Sequence, residues 1–210
     1  MVLKILFCLI FGYIFGCFST GYFIGKLKKV DIRNYGSGNI GTTNALRTLG
    51  AKAGAITLLG DAFKAVIPML LVRYIFFNHT DFAQLLSLYT GLGVVLGHNY
   101  PVWLKFKGGK GIAATGGVMM AFDILIVPFA LPMFILIVAI TRYVSLGSLY
   151  VALFFPVWIL VRYPGDLHML ILSLVFMVLA FIKHSSNMKR LINGTENKIG
   201  QKVKVENKES

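Results

Sequence analysis

The stretch that settles the architecture reads IAATGGVMMAFDILIVPFALPMFILIVAIT, residues 112–141. A transmembrane helix needs about 20 consecutive apolar residues, so this apolar run is too long for one ordinary span. Asp123, Pro128 and Pro132 interrupt it, and a break near Asp123 would leave a first half of about 11 residues, or ~16 Å of helix at 1.5 Å per residue. The parity of the membrane crossings, taken up below with the basic residues, favours two helices here, the first a half-depth or tilted helix inside a bundle.

The composition of the whole chain points to a membrane protein. Of the 210 residues, 57% are hydrophobic and 14% are charged, with a mean hydropathy of +0.75. Soluble domains carry roughly 25% charged residues, so an all-α integral membrane protein is indicated. The length suits one membrane domain over residues 1–197, and we expect the charged tail 198–210 to be disordered.

Five further apolar runs flank the opening stretch, and short polar links separate some of them. They cover residues 2–24, 53–77, 82–97, 144–161 and 167–182. In the first run, Gly12 and Gly16 have the spacing that allows close helix contact. In the second, Asp61 and Lys64 lie three residues apart and therefore on one helix face, where they are able to pair. Charged residues at membrane depth usually face the protein interior, and both a structural and a functional role stay open.

The basic residues decide the predicted topology. Three clusters, within residues 26–52, 105–110 and 183–208, hold 16 of the 21 basic residues. The positive-inside rule places all three in the cytoplasm, so an even number of crossings separates the second cluster from the third. The stretch 112–141 then crosses twice. We predict a bundle of about seven transmembrane helices, one or two of them short or broken, with the N-terminus outside and the C-terminus cytoplasmic; five or six is the fallback.

A glycine-rich polar segment, NYGSGNIGTTNALR at residues 34–47, follows the first apolar run. Its three glycines let the backbone turn sharply, and the breaker-free sequence after Gly41 predicts a helix whose N-terminus faces the loop. Arg47 adds a planar fork suited to phosphate. These features predict an anion site, with the substrate-binding candidates Ser37, Gly38, Asn39, Gly41, Thr43, Asn44 and Arg47.

Two other interpretations of this segment compete with the anion site. A Gly/Ser/Asn cluster after an apolar run is often only a turn. The spacing Gly36-x-Gly38-x-x-Gly41 also fits the dinucleotide fingerprint, with Asp61 twenty residues further on. That fingerprint requires a preceding strand, whereas the polar, charged residues 26–35 precede it here, so we set it aside.

Two later polar segments repeat this chemistry. The second, GHNYPVWLKFKGGKG at 98–111, combines His98 and Asn99 with a flexible cationic loop; it lacks the upstream glycine and the Ser/Thr of a Walker loop. The third, KHSSNMKRLINGTENK at 183–198, places His184, Asn187 and Arg190 at i, i+3 and i+6 on a helix expected to continue the last span. Further substrate-binding candidates are Asn99, Lys105, Gly108, Gly109, Lys110, Gly111, Asn187 and Glu196, the last of which we expect to neutralise Arg47 or a lysine.

The three segments together resemble the three cytoplasmic motifs of the acyl-phosphate:glycerol-3-phosphate acyltransferases, the PlsY family, in order and in spacing over nearly the whole chain. The resemblance implies a multi-pass enzyme of the bacterial plasma membrane whose active site faces the cytoplasm. It implies transfer of a fatty acyl group from acyl phosphate to the 1-position of glycerol 3-phosphate, giving lysophosphatidate and phosphate in the first step of phospholipid synthesis. Ser185 stands where many members have Arg.

The residues fit that chemistry. Acyl phosphate is already activated, so positioning and charge stabilisation matter more than a covalent nucleophile. We assign catalytic roles to His98, His184 and Lys107, with no cofactor and no metal. The H-x4-D pattern of another glycerolipid acyltransferase class is absent. The expected partners are the two substrates, membrane lipid and a soluble acyl-phosphate-forming synthase, but not nucleic acid; an anion transporter or channel is the alternative.

Overall fold

Within residues 1–201, the part of the chain that its computed structural model describes, all regular secondary structure is helical, and loops separate the helices. Residues 202–210, most of the tail predicted to be disordered, lie outside the described residues. The α-helices are α1 Val2–Cys17, α2 Thr20–Leu27, α3 Thr42–Leu49, α4 Ala51–Leu71, α5 Ala83–Asn99, α6 Ile112–Phe122, α7 Val127–Thr141, α8 Val144–Arg162, α9 Leu167–Lys183 and α10 Ser185–Ile192. A π-helical turn, Val72–Phe76, extends α4, and short 3-10 turns lie at Ile32–Asn34, Val102–Leu104 and Ile124–Ile126.

Glycines set the closest helix contact in the bundle, between α1 and α5. A Cβ built on Gly12 would lie 2.0 Å from Thr90 O, and one built on Gly93 would lie 2.3 Å from Leu9 O. Real Cβ atoms do not approach that closely, so only glycine allows the two backbones to touch, as the spacing of Gly12 and Gly16 predicted. The register shows that α1 and α5 run in the same direction.

Helices α4 and α6 both run in the direction opposite to this pair. Helix α4 runs antiparallel to α5, since Lys64 lies beside His98 while Met69 lies against Gly91. Helix α6 is also antiparallel to α5, because Gly111 at its start lies against Asn99 while Val118 near its end packs on Gly91. The polar segments, within residues 28–41, 100–111, 142–145 and 184–201, come together at one end of the bundle.

The break predicted near Asp123 is confirmed, and the structure shows how it is stabilised. Helix α6 ends at Phe122, and Asp123 is extended with φ −150° and ψ 107°. Arg73 Nη1 and Gln84 Nε2 donate to Phe122 O at 2.9 and 3.3 Å, while Trp158 Nε1 donates to Asp123 Oδ2 at 3.0 Å. These contacts satisfy helix-end groups that have no partner inside the helix. The 11-residue α6 therefore ends inside the bundle, as expected of a short helix.

The helix lengths support a multi-pass membrane protein but do not establish the number of crossings. Within the described residues, four segments are long and apolar enough to span a membrane: Val2–Leu27, Ala51–Phe76, Ile124–Thr141 and Val144–Arg162. Helices α9 and α10, bent by 60°, add a fifth if counted together. Helix α5 has only 17 residues and is mostly buried, and α6 is shorter still. The predicted number of seven and the orientation of the termini therefore stay predictions.

Candidate active site

All three polar segments meet at one cavity of about 410 Å³. Its polar part, called the cavity mouth below, lies at the start of α3, the end of α5 and the start of α10. Its apolar part, called the trough, continues between α4, α6, α7 and α8. The predicted residues that line it are Ser37, Asn39, Gly41, Thr43, Asn44, Arg47, His98, Lys110, Gly111, His184, Asn187 and Glu196. The other candidates, Gly38, Asn99, Lys105, Lys107, Gly108 and Gly109, are not among its lining residues.

In the first segment, Asn44 holds the loop in shape. Its Oδ1 accepts from the Ser37 N–H at 2.9 Å, and its Nδ2 donates to Ile32 O at 2.8 Å and to Tyr35 O at 3.1 Å. These bonds engage both polar atoms of a buried side chain, so the geometry favours a structural role over the predicted substrate contact. Helix α3 begins directly after Gly41, where the sequence placed its start.

Arg47 extends from α3 toward the C-terminal segment. One Nη2 hydrogen bond reaches Asn197 O at 3.1 Å, while Nε is buried and has no partner within residues 1–201. Burial lowers the pKa of this guanidinium, and the nearby Glu196 charge counteracts part of that effect. An arginine with an unsatisfied N–H at a cavity is suited to receive an anion.

Glu196, expected to neutralise Arg47 or a lysine, acts on Arg47 and Lys110 through its charge but has other direct partners. The carboxylate accepts from Asn187 Nδ2 at 2.7 Å and forms an ion pair with Arg190 Nε at 2.8 Å. Burial by itself would raise the pKa of Glu196, but the hydrogen bonds from Asn187 and Arg190 outweigh it and lower the pKa. Glu196 thus holds α10 against the chain that follows it, and acts on Arg47 only through its charge.

The glycines of the second segment fold its loop onto His98. The Gly109 N–H donates to His98 O at 3.0 Å and the Gly108 N–H to Asn99 O at 3.2 Å. A Cβ on Gly109 would lie 2.0 Å from His98 Nε2, so a larger residue would displace the ring or the loop. Both N–H groups therefore already donate to backbone carbonyls. The geometry does not support the prediction that the Gly108–Gly109 backbone binds a substrate phosphate.

The three lysines of this segment have different surroundings. Lys110 lines the cavity and bonds to Asn187 Oδ1, whereas Lys105 and Lys107 are exposed and lie outside it. Burial, opposed by Glu196 and reinforced by neighbouring cations, lowers the pKa of Lys110 to about 8. Lys110 is therefore the lysine placed to meet an anion, while the catalytic role predicted for Lys107 finds no geometric support.

Asn99 and His184 differ in how their polar atoms are used. Asn99 is fully buried behind Gly111, and neither polar atom of its side chain has a partner within residues 1–201.

His184 stands at the bend between α9 and α10, so the third segment does not continue α9 as a straight helix. Its Nδ1 lies 2.8 Å from Ala180 O. A carbonyl only accepts, so Nδ1 carries the proton and Nε2 keeps a lone pair.

Several lining residues were not identified from the sequence. Ser145 at the start of α8 and Asn197 join the polar part of the cavity; Ser145 lies in no motif, and Asn197 lies in the third segment but was not chosen as a candidate. Asp61 also lines it, and the expected pairing with Lys64 is confirmed at 3.1 Å. The apolar part has no sequence signature distinct from an ordinary span; it includes Leu58, Leu59, Ala62, Ala113, Met120, Val127, Ala130, Leu131 and Phe134.

Comparison with known proteins identifies the family. The model of a family described as "Glycerol-3-phosphate acyltransferase" matches residues 6–194. A glycerol-3-phosphate acyltransferase of Thermoanaerobacter pseudethanolicus is 42% identical over 197 residues, covering 93% of this chain and 96% of that protein. One of Clostridioides difficile is 44% identical over 200 residues, covering 91% and 93%.

Two solved structures agree with this result. One is the glycerol 3-phosphate form of PlsY (YgiH), an integral membrane glycerol 3-phosphate acyltransferase, with a TM-score of 0.85 and 37% identity over 93% of this chain and 96% of that one. The lysophosphatidic acid form has a TM-score of 0.82 and 36% identity over 94% and 96%. The chain thus belongs to the glycerol-3-phosphate acyltransferase family.

Proposed function

We propose that this protein transfers a fatty acyl group from acyl phosphate to the 1-position of glycerol 3-phosphate, forming lysophosphatidate and releasing phosphate. The observation that carries the proposal is a single cavity whose cationic mouth, with Arg47 and Lys110, continues into an apolar trough. The related structures in glycerol 3-phosphate and lysophosphatidic acid forms support the same substrate and product.

The apolar trough suits the acyl chain. It runs beside α6, whose 11 residues span ~16 Å, and the bordering helices α4 and α7 carry many exposed apolar side chains. Burying apolar surface yields roughly 25 cal/mol per Å², so a fatty chain gains affinity here without any polar contact. The trough therefore orients the donor with its head group toward the mouth.

The mouth provides the charge that two phosphate-bearing substrates require. Arg47 offers a planar fork for a phosphate, and Lys110 offers a point charge beside Asn187. Ser37 and Thr43 line the same mouth and supply hydroxyl donors. We assign the glycerol phosphate to the Arg47 side and the acyl phosphate to the Lys110 side of the cavity.

The reaction then needs no covalent enzyme intermediate. The 1-hydroxyl oxygen of glycerol 3-phosphate attacks the acyl carbonyl carbon, and the bond from that carbon to the phosphate oxygen breaks. Lys110 offsets the charge of the departing phosphate. The hydroxyl proton passes to His184 Nε2, whose lone pair is free, or to a substrate phosphate oxygen.

Mass spectrometry of the enzyme after mixing with the acyl donor alone should find no acylated residue. An acylated Ser, Cys or Lys contradicts direct transfer.

Purified enzyme provides the principal test of this function. Phosphate release from acyl phosphate should depend on glycerol 3-phosphate and match the lysophosphatidate formed. Movement of glycerol 3-phosphate across vesicles without acyl transfer would instead favour the transporter alternative. Since the chemistry consumes acyl phosphate made elsewhere, the soluble synthase implied by the family resemblance is the proposed partner.

Lys110 should give the reaction a characteristic pH dependence. With a pKa of about 8, its cationic form is present below pH 8 and is lost as the pH rises above it. We expect kcat/KM to fall by up to about tenfold per pH unit above that value, since a neutral amine no longer attracts phosphate. In Lys110→Arg this fall should disappear, because arginine stays charged. An unchanged profile in the variant would show that another group titrates.

We also propose seven crossings, with the N-terminus outside and both the C-terminus and the active site in the cytoplasm. The antiparallel packing of α4 and α6 against α5 and the three basic clusters support this topology. After Cys8 and Cys17 are replaced by Ala, single cysteines at the exposed positions Asn78 and Lys198 should label from opposite sides of the membrane. Labelling of both from the same side contradicts it.

A further inference from the structure

A buried cluster of three ionisable side chains lies beside the active-site cavity. Asp61 and Lys64 come from α4 and His98 from the end of α5, and they are 1%, 6% and 4% exposed. Asp61 and His98 line the cavity, whereas Lys64 lies behind them. Burying a charged pair next to a histidine is costly unless every donor and acceptor is used. The hydrogen bonds of this cluster therefore indicate where its protons lie.

Lys64 sits at the centre of the cluster. Its Nζ lies 3.1 Å from Asp61 Oδ1, 2.8 Å from His98 Nδ1 and 2.6 Å from Phe18 O. An ammonium has three N–H groups and no acceptor, and three partners surround this one. Thr20 Oγ1 donates to Asp61 Oδ1 at 3.2 Å and so adds a further bond to the carboxylate.

The charge balance determines which atom of His98 carries the proton. With Lys64 as an ammonium, Asp61 as a carboxylate and a neutral imidazole, the buried cluster has no net charge. A neutral lysine beside a neutral imidazole would leave an unbalanced carboxylate in the interior, which is far less favourable. An imidazolium would also balance it, but an amine is roughly four pKa units more basic than an imidazole. Lys64 is also nearer to Asp61 Oδ1, at 3.1 Å against 3.8 Å for His98 Nδ1, so the proton belongs to Lys64. His98 Nδ1 must then accept from the ammonium, and the single proton of the neutral ring resides on Nε2.

The proton-bearing side of the ring faces the second polar segment. His98 Nε2 lies where a Cβ of Gly109 would come within 2.0 Å, next to the loop that carries Lys110. The His98 ring lines the cavity, and its Nε2 lies against Gly109, the residue next to Lys110, so the ring N–H is beside the lysine assigned to the acyl phosphate; His184 instead presents a lone pair. The two histidines, to both of which the sequence analysis assigned a catalytic role, are set up for opposite tasks.

We propose that Lys64, neutralised by Asp61, is a positioning residue that holds His98 in its Nε2–H form, so that His98 acts as a hydrogen-bond donor to the reacting acyl phosphate and not as a base. The inference rests on the acyl transfer proposed above. A preorganised donor aimed at developing negative charge typically contributes about 10²–10³-fold in rate. Without Lys64 the ring would exchange tautomers and lose part of that contribution.

The tautomer is measured directly by 15N NMR of the full-length protein, labelled at histidine and purified in detergent micelles. The chain has four histidines, and His98→Gln identifies the His98 signals by their loss. We expect a protonated Nε2 and an unprotonated Nδ1 in the wild type. A His98 that carries its proton on Nδ1 overturns the proposal, whether or not the protein proves to be an acyltransferase.

The kinetic test uses Asp61→Leu/Lys64→Met, which removes both charges together and leaves no unpaired charge in the interior. We expect kcat to fall roughly 10- to 100-fold with KM for both substrates changed little, and the His98 signals to show mixed tautomers. His168→Gln, outside the cavity, is the matched control and should keep wild-type kcat and the His98 tautomer.

Combination with His98→Ala separates positioning from simple stabilisation. If Lys64 acts through His98, adding the pair substitution to His98→Ala should lower kcat by no more than about threefold further, since coupled residues are not additive. A fully additive loss overturns the proposal. The proposal is also overturned if Asp61→Leu/Lys64→Met lowers the melting temperature but leaves kcat per folded molecule unchanged. That result would show that Asp61 and Lys64 have a purely structural role. If the pair variant does not fold, the wild-type tautomer still decides.

Discussion

Replacing His184 by Gln or Ala should lower kcat by about 10²–10⁴-fold, the range typical for loss of a general base. The expectation follows from its hydrogen bond: Nδ1 donates to Ala180 O at 2.8 Å, which leaves the Nε2 lone pair as the free basic site. The ring is 3% exposed and lines the cavity mouth, so solvent does not substitute easily for it. Initial rates of phosphate release at saturating substrates measure the effect.

His168→Gln is the matched control for this experiment, because that histidine bonds to Tyr89 far from the cavity. Its kcat should equal that of the wild type. If His184→Ala retains activity within about tenfold, the proton goes to a substrate phosphate oxygen and His184 is not the base. Melting temperatures of all variants separate loss of chemistry from loss of folded protein.

Arg47→Lys should lower kcat/KM for glycerol 3-phosphate by about 10²-fold although the charge is kept. Hydrogen bonds to charged groups contribute roughly 1.5–3 kcal/mol, and lysine cannot reproduce a two-pronged contact with phosphate. Arg47 lines the cavity, and its buried Nε–H has no partner within residues 1–201, so the side chain still has a donor to offer a phosphate. We expect the loss mainly in KM for glycerol 3-phosphate, with KM for the acyl donor changed less.

Arg33→Lys makes the same chemical change outside the cavity, where Arg33 forms an exposed ion pair with Asp31 at 2.7 Å. Exposed pairs contribute little, so this control should behave as wild type. If Arg47→Lys has wild-type kinetics, Arg47 serves only as a positive charge that sets the membrane topology. A lower melting temperature with unchanged kinetics would instead show that Arg47 serves only to hold Asn197.

The sequence was most informative where a feature is local. The glycine-rich loop, the helix start after Gly41, the break at Asp123 and the pairing of Asp61 with Lys64 all depend on a few neighbouring residues. The three motifs also identified most of the residues at the cavity mouth. Some site assignments find no support in the geometry: Lys105, Lys107 and the Gly108–Gly109 backbone. They were inferred from charge and glycine content, but these do not determine which way the loop folds.

By itself, then, the sequence determined that the chain is a helical membrane protein with three polar segments of anion-binding chemistry, because hydropathy, charge and glycine spacing are local properties. Only the tertiary structure decided which of their atoms face one another. The trough has no signature because lipid-facing and chain-facing apolar residues look alike. The opposite roles inferred for His98 and His184 depend on Lys64 and Ala180, whose contacts arise from packing between α4 and α5 and from the bend after α9.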